Sequence, residues 1–266
     1  MLCAAGELRE LEGDPNLVVV DCRAALGNPL YGRERYLAGH IPGAVFADLD
    51  VDLADPPGPR GRHPLPSRER FRETLRRLGV SNRSRLVAYD DRDCMFAARF
   101  WWMVRWAGHG RVSLLDGGFA AWLASGGQPS TDPEPPREGK FELGEPLTKQ
   151  VSVHDVQRGG HVLVDARTDE RFRGRVEPID HTAGHIPGAT CLPFQGNVAE
   201  DGKFVRRSPR FKSLENADNV VCYCGSGVTA AHNIFAMVLA GLSEPALYPG
   251  SWSEWIEDPS RPVGRC

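Results

Sequence analysis

The sequence predicts an α/β protein made of two tandem copies of one unit, each a mainly parallel sheet flanked by helices on both faces. Three observations carry this expectation. Apolar runs of four to five residues alternate with helical patterns along the chain, as buried strands alternate with crossover helices. A set of segments recurs in the same order in both halves of the 266 residues. One apolar run, 219–223 (NVVCY), passes through a glycine-containing loop into a helical pattern at 230–240 (AAHNIFAMVLA). That is the strand–tight loop–helix layout of an anion site.

Taken in order, the first run is 17–21 (LVVVD), matched by 162–165 (VLVD). Both end in an aspartate, Asp21 and Asp165. The seven residues Ala38-Gly39-His40-Ile41-Pro42-Gly43-Ala44 recur unchanged 145 positions later, as Ala183 to Ala189. Residues 68–78 (RERFRETLRRL) place Phe71, Leu75 and Leu78 on one helical face, opposite arginines. Residues 86–90 (LVAYD) match 220–224 (VVCYC), and 114–122 (LLDGGFAAW) match 247–255 (LYPGSWSEW), setting Trp122 against Trp255. The shared order implies duplication of a unit of about 120 residues, an ordinary domain size. The expected domains are 1–127 and 149–266, joined by 128–148. The stretch from Gly126 to Leu147, with Pro129, Pro133, Pro135, Pro136 and Pro146, reads as a surface linker partly extended by its prolines.

Composition narrows the function classes. Hydrophobic residues make up 41% and charged residues 25% of the chain, as in an ordinary globular protein. The net charge of −3 gives no reason to expect nucleic acid or an acidic membrane surface as partner. The first residues lack the basic start and apolar core of a secretory signal, and no apolar run is long enough to cross a membrane. Seven cysteines, an odd number at irregular spacing, argue against a disulfide framework and for a reducing, cytoplasmic setting. Cys222-x-Cys224 is too short for a Cys-x-x-Cys site, and no metal or organic cofactor is expected.

Ligands of parallel sheets gather at the carboxyl ends of strands, where Asp21, Asp90, Asp165 and Cys224 are expected. Cys224 opens the loop Gly225-Ser226-Gly227-Val228-Thr229. Loop amides and a helix N-terminus favour a thiolate, so Cys224 reads as a nucleophile, whereas Cys222 reads as a small core residue. The matching position in the first copy is Asp90, within Asp90-Asp91-Arg92-Asp93. Clustered carboxylates repel a thiolate and an anionic substrate alike, so the first copy reads as catalytically silent. Metal binding by these aspartates is disfavoured by their tight spacing. A cysteine phosphatase would need an arginine six residues after its nucleophile, and Ala230 stands there. An inactive binding module would be expected to have lost the nucleophile.

The duplication, the two GHIPGA segments and the CGSGVTA loop together resemble the two-domain rhodanese-type sulfurtransferases, over nearly the whole chain. The resemblance implies an active second copy with Cys224 as the sulfur carrier and a first copy acting as scaffold. It makes His40 and His185 buried structural residues. The Cys-Gly-Ser-Gly-Val-Thr form is similar to that of 3-mercaptopyruvate sulfurtransferases, which add a serine–histidine–aspartate set. The matching positions are Ser226, His63 and Asp50. Without the resemblance His63 reads as a solvated loop residue.

Substrate contacts are expected from Arg171, Gly225, Gly227, Val228 and Thr229. The second arginine of the family's carboxylate clamp falls on Asp180, a departure. Arg173 or Arg175 are neighbouring cations that could stand in, though each reads first as a solvated charge. The implied partners are a small anionic sulfur donor, 3-mercaptopyruvate ahead of thiosulfate, and a thiol, thioredoxin-like or cyanide acceptor.

Overall fold

A computed structural model describes residues 1–132 and 138–266. The chain forms two compact units that interleave in sequence. The first comprises Met1–Asp55, Pro66–Leu147 and Ala199–Phe204; the second comprises Pro56–Leu65, Thr148–Val198 and Val205–Cys266. Division at 127 and 149 therefore follows the repeats but not the packing.

The first unit carries strands β1 (Leu2–Cys3), β2 (Leu17–Asp21), β3 (Val45–Phe46), β4 (Arg85–Tyr89) and β5 (Val112–Leu115), with helices α1 (Ala5–Glu10), α2 (Tyr31–Ala38), α3 (Arg68–Arg77), α4 (Ala97–Trp106) and α5 (Gly118–Ala124). The sheet order is β1-β5-β4-β2-β3, parallel throughout. Ser67 caps α3 by accepting the Arg70 amide at 3.1 Å. Phe71, Leu75 and Leu78 are buried as their spacing predicts. Nearly every side chain of α4 is buried, the mark of a helix enclosed on all sides.

The second unit carries α6 (Val153–Arg158), β6 (Val162–Asp165), α7 (Asp169–Phe172), β7 (Thr190–Cys191), β8 (Val220–Tyr223), α8 (Val228–Leu239), β9 (Ala246–Leu247) and α9 (Ser251–Trp255). Its parallel sheet has the order β7-β6-β8-β9. The turn from β8 into α8 occupies only 224–227, so the helix begins two residues before the expected 230. Val221, Tyr223, Ile186, Trp252 and Trp255 belong to its core.

The repeated segments form the same internal brace in each unit. In the first, Arg23 chelates Asp21 and donates to the Gly39 carbonyl at 2.7 Å. Tyr89 Oη donates to Asp21 at 2.8 Å and accepts the Ile41 amide at 3.2 Å. His40 stacks on Tyr36 and donates from Nδ1 to its carbonyl at 2.8 Å. In the second, Arg167 chelates Asp165 and donates to the Gly184 carbonyl at 2.7 Å, Tyr223 Oη accepts the Ile186 amide, and His185 stacks on Phe172. The two histidines are thus structural. Each brace is a buried ion pair whose arginine also donates to a backbone carbonyl, the kind of added hydrogen bond that helps such a pair to be tolerated.

The expected linker is mostly exposed among its described residues but is tied to the first unit at a few points. Phe141 is fully buried, and Gly139 sits against Val80, where an added Cβ would meet the Val80 oxygen at 1.9 Å. Ser130 pairs with His40. Gly139 and Phe141 pack into the first unit, where one aromatic side chain anchors an otherwise polar, exposed stretch. Pro133, Pro135 and Pro136 lie outside the described residues.

Candidate active site

Cys224 is the first residue after β8 and is 2% exposed. Gly227 takes φ +78° and serves as the N-cap of α8, a left-handed conformation that glycine adopts without steric cost. This turn aims the Gly227 amide at Cys224 Sγ, 3.1 Å away. The neighbouring helix α9 receives the rest of the loop. Trp252 and Ser253 donate their amides to the carbonyls of Cys224 and Gly225 at 3.0 and 2.9 Å. The Cys224 amide donates to Ser251 Oγ at 3.1 Å. Ser251 is held at φ +55°, a conformation that costs a non-glycine residue about 1 kcal/mol or more. The loop is fixed on both sides before any substrate arrives.

Ser226 and His63, 163 positions apart, meet here with Oγ 2.7 Å from Nδ1. Both are buried, at 3% and 7% exposure. His63 is therefore not a solvated loop residue. The segment 56–65 that carries it packs on α9, where the Arg62 amide donates to Ser253 Oγ at 3.0 Å.

Arg171 lies on α7 and chelates Glu177, with Nη2 also donating to Asp180 at 3.0 Å. Burial opposes ionisation of Glu177, but the Arg171 guanidinium prevails and holds its carboxyl below the usual range. Asp180 also pairs with Arg62. A Cβ added at Gly225 would stand 2.9 Å from Arg62 Nη2 and 3.5 Å from Arg171 Nη2. Two guanidiniums thus border the residue next to Cys224.

Arg173 pairs with Asp169 at 2.6 Å, and Arg175 is exposed. Val228 is buried and Thr229 half-buried in the first turn of α8.

Asp50 belongs to the first unit, on the turn after β3. Its amide donates to Asp48 Oδ1 at 2.9 Å. Partial burial and the Asp48 carboxylate push its own carboxyl upward.

Arg62 and Ser251 escaped the reading of the sequence. Ser251 had a signal: in the repeat alignment it stands opposite Gly118, which also has positive φ. Arg62 had none beyond lying beside His63. All seven cysteines are free thiols, and burial pushes Cys22, Cys94 and Cys222 upward. Among the described residues, no group of three or more histidine, cysteine or acidic side chains is placed to hold a metal ion, and no helix is long and apolar enough to cross a membrane.

Known proteins resemble this chain over nearly its whole length. Residues 4–125 and 150–258 match the rhodanese-like domain family. A Pseudomonas aeruginosa protein named "Probable 3-mercaptopyruvate sulfurtransferase" is 47% identical, over 98% of this chain and 97% of its own length. A Mycobacterium tuberculosis protein named as a thiosulfate sulfurtransferase is 41% identical, over 100% of this chain and 97% of its own. The structure of 3-mercaptopyruvate sulfurtransferase from Leishmania major superposes with a TM-score of 0.85 at 30% identity, covering 97% of this chain and 74% of that one. The chain belongs to the rhodanese-type sulfurtransferases, with two rhodanese-like domains in tandem.

Proposed function

We propose that this protein is a 3-mercaptopyruvate sulfurtransferase working through a persulfide on Cys224. The thiolate attacks the donor sulfur and the carbon–sulfur bond breaks. Its electron pair leaves on carbon as the enolate of pyruvate, and Cys224 becomes Cys–S–SH. The Gly227 amide stabilises the anionic sulfur. An acceptor thiolate, reduced thioredoxin or cyanide then takes the outer sulfur and restores the thiolate. Reduced thiols as acceptors and free cysteines throughout fit a cytoplasmic setting.

The observation that carries the choice of donor is the buried Ser226–His63 pair at 2.7 Å. A leaving enolate needs a proton, and sulfite leaving from thiosulfate does not. A serine backed by a histidine is a proton path useful only to the first donor. The resemblance implies Asp50 as the third member of this set.

Thiosulfate is the second reading. Arg62 and Arg171 beside Gly225 favour it, because they bring cationic groups to a loop that has none of its own.

The test is kcat/KM with each donor, using cyanide and then reduced thioredoxin as acceptor. We expect 3-mercaptopyruvate to be the better donor, with a high KM. A preference for thiosulfate would assign the protein to the second reading.

A further inference from the structure

We propose that Asn197, His232 and Asn233 are positioning residues: their buried hydrogen-bond network fixes the register of α8 and so holds the Gly227 amide on Cys224 Sγ. This rests on the reading of Cys224 as the sulfur carrier and names what keeps its amide aligned.

Asn197, His232 and Asn233 are 1%, 0% and 0% exposed. Arg210 donates from Nη1 to Asn197 Oδ1 at 2.7 Å and from Nη2 to the Pro193 carbonyl at 2.8 Å. With its oxygen engaged, Asn197 turns its amide nitrogen to α8. There it donates to His232 Nδ1 at 3.0 Å and to Asn233 Oδ1 at 2.7 Å. Asn233 Nδ2 donates in turn to the Leu192 carbonyl at 2.8 Å. Only this orientation of the two side-chain amides gives every one of these donors an acceptor, and it places the His232 ring proton on Nε2.

A satisfied polar network adds little net stability over apolar packing. What it adds is direction. α8 packs on β8, β9 and the 3-10 turn Phe194–Asn197. Apolar contacts are non-directional and let a helix slide or roll slightly, whereas hydrogen bonds to fixed atoms do not. Two adjacent residues of α8 are tied in this way to the segment 192–197. That segment is tied to the end of β6, where the Leu192 and Phe194 amides donate to the Asp165 and Ala166 carbonyls at 2.9 and 3.0 Å. Gly227 is the N-cap of α8 and moves with the helix, so a shift of α8 changes its 3.1 Å contact with the sulfur.

The first unit shows that the fold itself does not require this network. α4 follows the Asp90 turn as α8 follows the Cys224 turn. Its fifth and sixth residues are Trp101 and Trp102, 1% and 0% exposed, where α8 has His232 and Asn233.

The test compares variants by the rate of Cys224 alkylation with iodoacetamide, read by mass spectrometry at fixed neutral pH, and by kcat and KM for 3-mercaptopyruvate. In His232→Leu both alkylation and kcat should fall about tenfold, less than the roughly 100-fold that follows outright loss of an aligned donor, with KM within about threefold. His232→Asn, whose Oδ1 replaces the accepting Nδ1, should recover most of both. Asn197→Leu reads the same loss independently should His232→Leu not fold. Met237→Ala, buried in the same helix outside the network, should lower the thermal midpoint by cavity formation yet leave alkylation and kcat within about twofold of wild type.

Unchanged alkylation and kcat in the folded network variants, no recovery in His232→Asn, or equal losses in Met237→Ala would overturn the proposal. If wild type transfers sulfur while the network variants keep its alkylation rate and kcat, the positioning role fails and the function stands. If alkylation follows the network but wild type transfers no sulfur, the function fails and the positioning role stands.

Discussion

The two units share a brace and differ in one turn. Asp21, Arg23, Tyr89 and His40 in the first do what Asp165, Arg167, Tyr223 and His185 do in the second. The helix that follows each turn holds it in the same way. Phe119 and Ala120 donate to the carbonyls of Asp90 and Asp91, as Trp252 and Ser253 donate to those of Cys224 and Gly225.

The contrast lies in what occupies the hollow of the turn. In the first unit the Asp90 carboxylate accepts the amides of Cys94, Phe96 and Ala97 at 2.8, 2.8 and 3.2 Å. The anion site is filled from within. In the second, the amide of Gly227 reaches the Cys224 sulfur, and Ser226 turns to His63. The two turns thus differ in their occupant while the scaffold around them is shared.

The largest expected effect tests the occupied turn itself. Cys224→Ser should reduce sulfur transfer to background with the thermal midpoint unchanged, because the swap is nearly isosteric. Donor treatment of wild type should add the mass of one sulfur atom to the Cys224 peptide. Added mass on the peptide of Cys94, which sits in the first unit's turn, would erase the distinction between the units.

Next is the proposed proton path through Ser226 and His63 in the second unit. Ser226→Ala and His63→Ala should each lower kcat for 3-mercaptopyruvate by about 100-fold, the low end for general acid–base catalysis. The loss with thiosulfate should be much smaller. Equal losses with both donors would mean that Ser226 only shapes the loop.

Ser251 sharpens the comparison, because glycine stands at the corresponding position of the first unit. Ser251→Ala keeps the strained φ and leaves the buried Cys224 amide unpaired, so it should cost about 1–3 kcal/mol. Ser251→Gly should recover about 1 kcal/mol of that by relieving the strain, while the Cys224 amide stays unpaired and kcat stays below wild type as in Ser251→Ala. Denaturant melts and kinetics on the two variants separate strain from hydrogen bonding.

The smallest effect on turnover belongs to the silent turn. Asp90→Ala should lower stability through its orphaned amides, while turnover of the folded enzyme stays within about twofold of wild type. Its pH signature is more telling. Burial first, then the Asp93 carboxylate, raise Asp90 from 3.8 to about 7. Between those values the folded form holds a proton that the unfolded chain has released. Stability should therefore fall as pH rises from about 4 to about 7 and lose no more beyond it on this account. Asp90→Asn should flatten that slope. Thermal midpoints across the window decide it, and an unchanged slope would reject the assignment.

Much of this was legible because it is local. The apolar runs, the recurring heptapeptide and the glycines after Cys224 are patterns within a few residues of one another. Backbone sterics and burial translate such patterns directly into strands, turns and helix starts. The proposed nucleophile and the contrast with Asp90 are read from the same short stretches, since each rests on what stands at the end of one strand.

In the linker the polar and proline-rich composition is a local signal, and the burial of Phe141 is not. What only the tertiary structure decided lies at long separation in the chain. Ser226 meets His63 across 163 positions and Asp180 meets Arg62 across 118. Composition carries no record of such meetings, because an arginine or histidine in a polar loop looks solvated until packing removes the water around it. The partner of Asp180, the pairing of His63 and the strain at Ser251 are consequences of that packing.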